Sequence, residues 1–305
     1  MRSRIGPNGI HLFDRLSGLN ILVDELRPKE ALWATSPRQV SIALTNVCDL
    51  HCVYCYAPKH KASLRTDQVL GWLKELDDEG CLGIGFGGGE PTLHPDFVEI
   101  CKRAAGETQL AVTFTTHGHR LTPQLVESLK GSIHFARISI DGIGRTYEEQ
   151  RGKRFASLLR GIESIANLSP FGINVVVNER TVAELDAMSE LAQNVGASEL
   201  LLLPQQATPT VASMDGAVGR ALQDWVSTYR GKVRLTVSEA GASGLPTCDP
   251  FPDERGLQAY AHIDASGMLR ASSFSPLGAR IGDAGVLSAL ERIRNTFEII
   301  RETQS

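Results

Sequence analysis

A chain of 305 residues can bury a large core, and its formal net charge of -4 with 22% charged residues offers no basic excess with which to grip a phosphate backbone. Nucleic acid is therefore not an expected partner. No stretch approaches the roughly 18 to 20 consecutive apolar residues of a membrane-crossing helix, and Met1-Arg2-Ser3-Arg4-Ile5-Gly6-Pro7 lacks the apolar segment of a secretion signal, so a cytoplasmic protein with no membrane partner is expected.

Near the N-terminus, Ile10-His11-Leu12-Phe13-Asp14 and Leu19-Asn20-Ile21-Leu22-Val23 flank Arg15-Leu16-Ser17-Gly18, which predicts a β-hairpin. The hairpin makes residues 1–38 an extension. It would offer a strand edge to a peptide or cover the open bottom of the domain that follows. From residue 40, short apolar runs alternate with helical patterns, at 40–44, 82–86, 110–115, 135–140, 173–177 and 200–203. Runs that are apolar nearly throughout belong to strands covered on both faces, so parallel βα units are expected. Between them Val69, Leu70, Leu73 and Leu76 form a helix face that Gly80 ends. Thr122-Pro123 opens another helix, Thr181 with Glu184 has the spacing of a capping box, and a further helix is expected around 212–230. The fold predicted for residues 39–230 is α/β, a partial (β/α)6 TIM-like barrel.

Three of the six cysteines crowd one loop after the first of these strands: Thr45-Asn46-Val47-Cys48-Asp49-Leu50-His51-Cys52-Val53-Tyr54-Cys55-Tyr56. Six cysteines so distributed suit metal ligation in a reducing compartment better than a disulfide framework. An iron-sulfur cluster takes four cysteine ligands as a rule, so three thiols leave one iron for an outside ligand. The other reading is a Cys3His zinc site completed by His51 or a remote histidine, for which paired C-x2-C units are expected; here there is one. Cys101 shares helical spacing with Phe97, Ile100 and Ala104 and reads, like Cys81, as a packing residue.

The second strand runs into Gly87-Gly88-Gly89-Glu90-Pro91-Thr92, at the C-terminal strand end where barrel enzymes place their sites. Glycine lets backbone approach a ligand closely, and Glu90 could pair with a cationic amine. Alone, the run would also serve as a tight turn.

The three-cysteine loop, with Tyr54 just before its last thiol, followed one βα unit later by Gly88-Gly89-Glu90-Pro91, resembles the radical S-adenosylmethionine (SAM) superfamily. The resemblance implies a single 4Fe-4S cluster on Cys48, Cys52 and Cys55, SAM on its open iron, and a cofactor site that includes Tyr54 and Gly88 to Pro91. It also implies an external electron donor such as flavodoxin or ferredoxin. Ser139-Ile140-Asp141-Gly142 and Arg151-Gly152 resemble the peptide-modifying branch; by that resemblance Ser139 touches ribose or carboxylate and Arg151 the carboxylate. Asp141 is a cofactor contact or a turn former before Gly142. Asn174 and Leu202 fall where the family has ribose and adenine contacts, although a buried strand supplies such a leucine anyway. His117, in Thr115-Thr116-His117-Gly118, stands where the family often has asparagine; it is a proton carrier or a strand-end cap.

Residues 231–305 resemble the twitch or SPASM extension of that branch, with Ser272 five residues after Gly267 where a cysteine usually stands, and no cysteine beyond Cys248. A hydroxyl is a poor iron ligand, so the extension is expected to lack an auxiliary cluster. Cys248 is a leftover thiol or a catalytic hydrogen donor to a substrate radical. The expected activity is reductive cleavage of SAM to a 5'-deoxyadenosyl radical that takes hydrogen from a ribosomally made peptide. The alternatives are a small metabolite, such as a sugar or nucleotide, or a non-catalytic zinc-bound scaffold.

Overall fold

The computed structural model describes residues 1–238 and 241–304. Three short strands at its start, β1 (Arg2–Gly6), β2 (Gly9–Phe13) and β3 (Asn20–Val23), form a separate antiparallel sheet in that order. The expected hairpin is β2 and β3; β1 escaped the apolar pattern because two of its five residues are arginines. Those arginines dock the sheet. Buried Arg4 donates to Glu254 Oε1 at 2.6 Å and to the carbonyls of Gly80, Ser36 and Gln258 at 2.8, 3.0 and 3.2 Å. Arg15 likewise reaches the carbonyls of Thr108 and Leu110 at 2.8 and 3.0 Å. Several of these acceptors lie just before strands of the main sheet, so the small sheet sits at its N-terminal, bottom edge.

The main sheet has ten strands in the order β10 (Arg234–Val237), β9 (Glu199–Pro204), β8 (Phe171–Val177), β7 (Phe135–Ser139), β6 (Ala111–Thr116), β5 (Gly83–Gly88), β4 (Gln39–Thr45), β11 (Tyr260–Ile263), β12 (Met268–Arg270) and β13 (Gly278–Arg280). All six expected barrel strands, β4 to β9, are present and parallel. One further parallel strand lies at each edge: β10 beside β9 and β11 beside β4. The hairpin of β12 and β13 then continues antiparallel.

The helices are α1 (Thr66–Asp78), α2 (Phe97–Glu107), α3 (Pro123–Leu129), α4 (Arg145–Arg151), α5 (Phe155–Ala166), α6 (Leu185–Asn194), α7 (Gly216–Thr228) and α8 (Gly285–Gln304). Helix α1 buries Val69, Trp72, Leu73 and Leu76, and Gly80 follows it at φ +89°, where a side chain would be strained. Thr122 caps α3 by accepting from Leu125 N at 3.2 Å. The capping box at Thr181 is not formed. Thr181 is itself in the helical region, its hydroxyl donates to Val176 O at 2.7 Å, and Glu184 instead accepts from Ile143 N at 2.7 Å, bracing the loop before α4.

Register separates the two faces of the sheet. Val40, Ile42, Leu44, Ile84, Phe86, Val112, Phe114, Ile138, Ile173, Val175, Leu200 and Leu202 share one core with the inner faces of the helices, each fully buried aliphatic chain contributing about 1.5–3 kcal/mol. Cys81 and Cys101 belong to that core, as expected of packing residues. The opposite face is polar or bare over β4 to β6 and carries Val176, Leu201 and Leu203 on β8 and β9. Across it Thr113, Gly85, Ser41 and His262 are register neighbours on β6, β5, β4 and β11.

Candidate active site

The cysteine loop leaves the C-terminal end of β4 and is held from three sides. Val47 N donates to Thr45 Oγ1 at 3.1 Å, Asn46 N to Ala62 O at 2.9 Å, and Thr210 Oγ1 to Val53 O at 2.6 Å. The glycine turn after β5 extends the strand ladder onto this loop, with Gly89 N to Thr45 O at 2.7 Å and Glu90 N to Val47 O at 2.8 Å. Glycine is required there by space. A Cβ on Gly89 would meet the Val47 carbonyl and lie 2.6 Å from Asn46 O, and Gly88 has φ +116°. Gly89→Ala is therefore expected to push the cysteine loop off the turn, lowering iron bound per chain after anaerobic reconstitution by about tenfold or more.

Cys48, Cys52 and Cys55 are free thiols packed with Leu50, Tyr54, Val176 and Val211. Burial, with the nearby carboxylates of Glu90 and Asp49, pushes Cys48 up to about 11, so metal loading must displace its proton. Among the described residues the three thiols are not all within 4.8 Å of one another. The group that does close to 4.8 Å is Cys48, Asp49 and His117, which brings one thiol and not three.

Glu90 is 1% exposed. Its oxygens accept from Thr92 Oγ1 at 2.7 Å, Thr116 Oγ1 at 2.9 Å, and the backbone N–H groups of Thr92 and His117 at 3.3 and 3.0 Å. His117 Nδ1 lies 3.1 Å from His119 N, and its Nε2 lies 2.8 Å from Asp49 Oδ1 and 3.3 Å from Glu90 Oε2. His117 thus ties the cysteine loop to the end of β6. A buried carboxylate whose hydrogen bonds come from hydroxyls and backbone N–H groups favours a cationic ligand beside it. Pro91 is buried at the start of the following turn.

Asp141, also 1% exposed, joins three elements. It accepts from Tyr54 OH at 2.6 Å and Val176 N at 2.7 Å, and pairs with Arg151. The turn-former reading of Asp141 understates it. Burial would weaken the charge on Arg151, but Asp141, then Tyr54 and Cys52, hold its pKa above the ordinary value. Arg151 Nη1 lies 3.7 Å from Cys52 Sγ, and Nε is buried with no partner. That orphan donor points to an anionic acceptor that the described residues do not provide.

Ser139 and Asn174 are register partners on the open face of the sheet. Asn174 Oδ1 accepts from Arg137 at 3.3 Å, within a cluster in which Glu199 pairs with Arg137 and Arg234. Leu202, expected as an adenine contact, is buried on the helix-covered side. It pairs in register with Val175 and lies in the helix-covered core, whereas its neighbour Leu201 shares the face of Asn174. Cys248 is exposed. No described interaction joins it to the cysteine loop.

Sequence reading missed a second cluster on the open face. Ser41 Oγ lies 2.6 Å from both Tyr260 OH and His262 Nδ1; a lone histidine between apolar neighbours on β11 was the available signal. Burial lowers His262 to about 4, well below its ordinary 6.5. Because the native state then binds fewer protons than the unfolded chain between those values, His262 contributes stability above pH 6.5 that is lost as pH falls through about 4. The expected loss is about 3 kcal/mol, read by urea unfolding at pH 7 and pH 4. His262→Gln should flatten that difference by the same amount.

Residues 42–192 match the radical SAM superfamily, and the chain belongs to that superfamily. It is 33% identical to the AdoMet-dependent heme synthase of Methanosarcina barkeri over 171 residues, 53% of this chain and 49% of the relative. It is also 33% identical to the mycofactocin maturase MftC of Mycobacterium tuberculosis over 163 residues, 51% and 41% of the two chains. The chain thus spans about half or less of the length of these curated relatives. In fold it is similar to Streptococcus suis SuiB, solved with S-adenosylmethionine (TM-score 0.71, 14% identity, 88% of this chain and 81% of that one) and with its precursor peptide SuiA (TM-score 0.75, 13% identity, 94% and 86%). The architecture is accordingly the partial barrel of radical SAM enzymes. The superfamily uses a 4Fe-4S cluster and SAM, and the donor set here fits both.

Proposed function

We propose that this chain is a radical SAM enzyme that modifies a ribosomally made peptide. The observation that carries the reading is the joining of three free thiols in one loop to the Gly88-Gly89-Glu90-Pro91 turn at the C-terminal ends of β4 and β5. Cys48, Cys52 and Cys55 would hold the cluster and leave one iron open. When bound, the cluster and SAM supply an electron to the sulfonium and hence a 5'-deoxyadenosyl radical able to abstract hydrogen.

The chain's own residues bind and orient. Buried Glu90, hydrogen-bonded by hydroxyls and backbone N–H groups, would balance the cofactor's positive charge. Arg151 Nε would take its carboxylate, and Ser139 its ribose. Tyr54, donating to Asp141, fixes the cysteine loop over the end of β8, where Val176 is bonded to the same carboxylate. Loops packed on the thiols exclude water, so that the radical meets a positioned substrate. An external flavodoxin or ferredoxin would supply the electron, since the extension has Ser272 where its branch usually has a cysteine. A reducing cytoplasm suits six free thiols, and no described helix is long and apolar enough to cross a membrane.

The peptide reading is supported by similarity to a maturase in sequence and to a precursor-bound enzyme in fold. Similarity to a heme synthase keeps a small metabolite as the second reading. Anaerobic incubation of the reconstituted protein with SAM, dithionite and peptides encoded beside its gene tests the choice. A peptide whose mass changes as 5'-deoxyadenosine accumulates is expected; turnover stimulated by nucleotides or sugars and by no such peptide would overturn it.

A further inference from the structure

Arg151 is more than a spare donor near the cofactor. Its side chain is 11% exposed, Nη1 lies 3.7 Å from Cys52 Sγ, Nη2 pairs with Asp141, and Nε is buried without a partner. One end of a buried guanidinium therefore addresses a cluster ligand and the other a buried carboxylate. Among the described residues Cys52 is the ligand thiol with a guanidinium in hydrogen-bond contact, whereas Cys48 lies within 4.8 Å of Asp49 and His117.

Reduction adds one electron to a cluster and no proton. A cation donating to a ligand sulfur stabilises the added charge and raises the potential, and an anion beside that cation works against it. We propose that Arg151 sets the reduction potential of the cluster through Cys52, with Asp141 as its counterweight; this rests on the cluster reading above. Arg151 is then a positioning and tuning residue, and the same side chain reports to the cluster whether Asp141 and Tyr54 of the loop are in register. A purely structural ion pair makes no such demand. Loss of either partner would loosen the loop without moving the potential in opposite directions.

The test is a dithionite-poised redox titration of the reconstituted enzyme without SAM, followed by EPR, with iron per chain measured in parallel. Arg151→Gln is expected to shift the midpoint negative, lowering the ratio of reduced to oxidised cluster at a fixed potential about tenfold, or about 59 mV for one electron. Asp141→Asn should shift it positive, and Arg151→Lys should stay close to the parent. An unchanged midpoint in Arg151→Gln at full iron content, or shifts of the same sign in the glutamine and asparagine variants, would overturn the proposal. If Arg151→Gln fails to hold iron, the positive shift of Asp141→Asn against Arg151→Lys decides: its absence overturns the proposal. A parent protein that binds no iron overturns the cluster reading itself, and the two failures are thereby told apart.

Discussion

Cys52→Ala is expected to lower the rate of 5'-deoxyadenosine formation from SAM and dithionite by at least about a hundredfold while leaving the fold intact. Changes one shell out from a metal already cost about 10- to 100-fold in affinity or activity, and loss of a ligand from a set of three cannot cost less. Cys52 packs with Leu50 and Tyr54 in the loop's own small cluster, outside the main core, so the stability cost should stay near 1 kcal/mol. Loss of the broad absorbance near 400 nm with unchanged circular dichroism is the expected signature. A variant as brown and as active as the parent would remove Cys52 from the site.

Asp141→Ala has the largest expected effect on stability, about 3–5 kcal/mol in urea unfolding. The carboxylate is the shared partner of Tyr54 OH, Val176 N and Arg151. Without it a guanidinium that is 11% exposed remains buried and uncompensated, and the Tyr54 hydroxyl and Val176 N–H lose their acceptors. Asp141→Asn keeps an oxygen for Tyr54 or Val176 but leaves the guanidinium equally uncompensated, so it should recover only the hydrogen-bond part, about 1–2 kcal/mol. A loss of only about 1 kcal/mol in both variants would mean that the charge of Arg151 is compensated elsewhere.

What could be read before the structure was what lies together along the chain. The cysteine loop and the glycine turn are contiguous stretches, and β4 to β9 announce themselves by the apolar residues that they turn toward the helix-covered core. The remainder depends on distant partners. Tyr54 and Asp141 are 87 positions apart, and Arg4 and Glu254 are 250 apart. β11 was missed since Tyr260 and His262 point to the polar face and break its apolar run to alternate residues. In Leu200-Leu201-Leu202-Leu203, conversely, nothing in the sequence distinguishes the face that meets helices from the opposite one, and the structure turns Leu202 to the helices. The Thr181 and Glu184 spacing matched a capping box, yet tertiary partners on β8 and before α4 claimed both side chains.

The most direct measurement is iron and acid-labile sulfide analysis of the anaerobically reconstituted parent, paired with EPR of the dithionite-reduced protein before and after SAM. About four irons and four sulfides per chain are expected, with a spectrum that changes when SAM takes the open iron. One zinc per chain, or a cluster spectrum indifferent to SAM, would contradict a three-thiol site built to leave one metal position free.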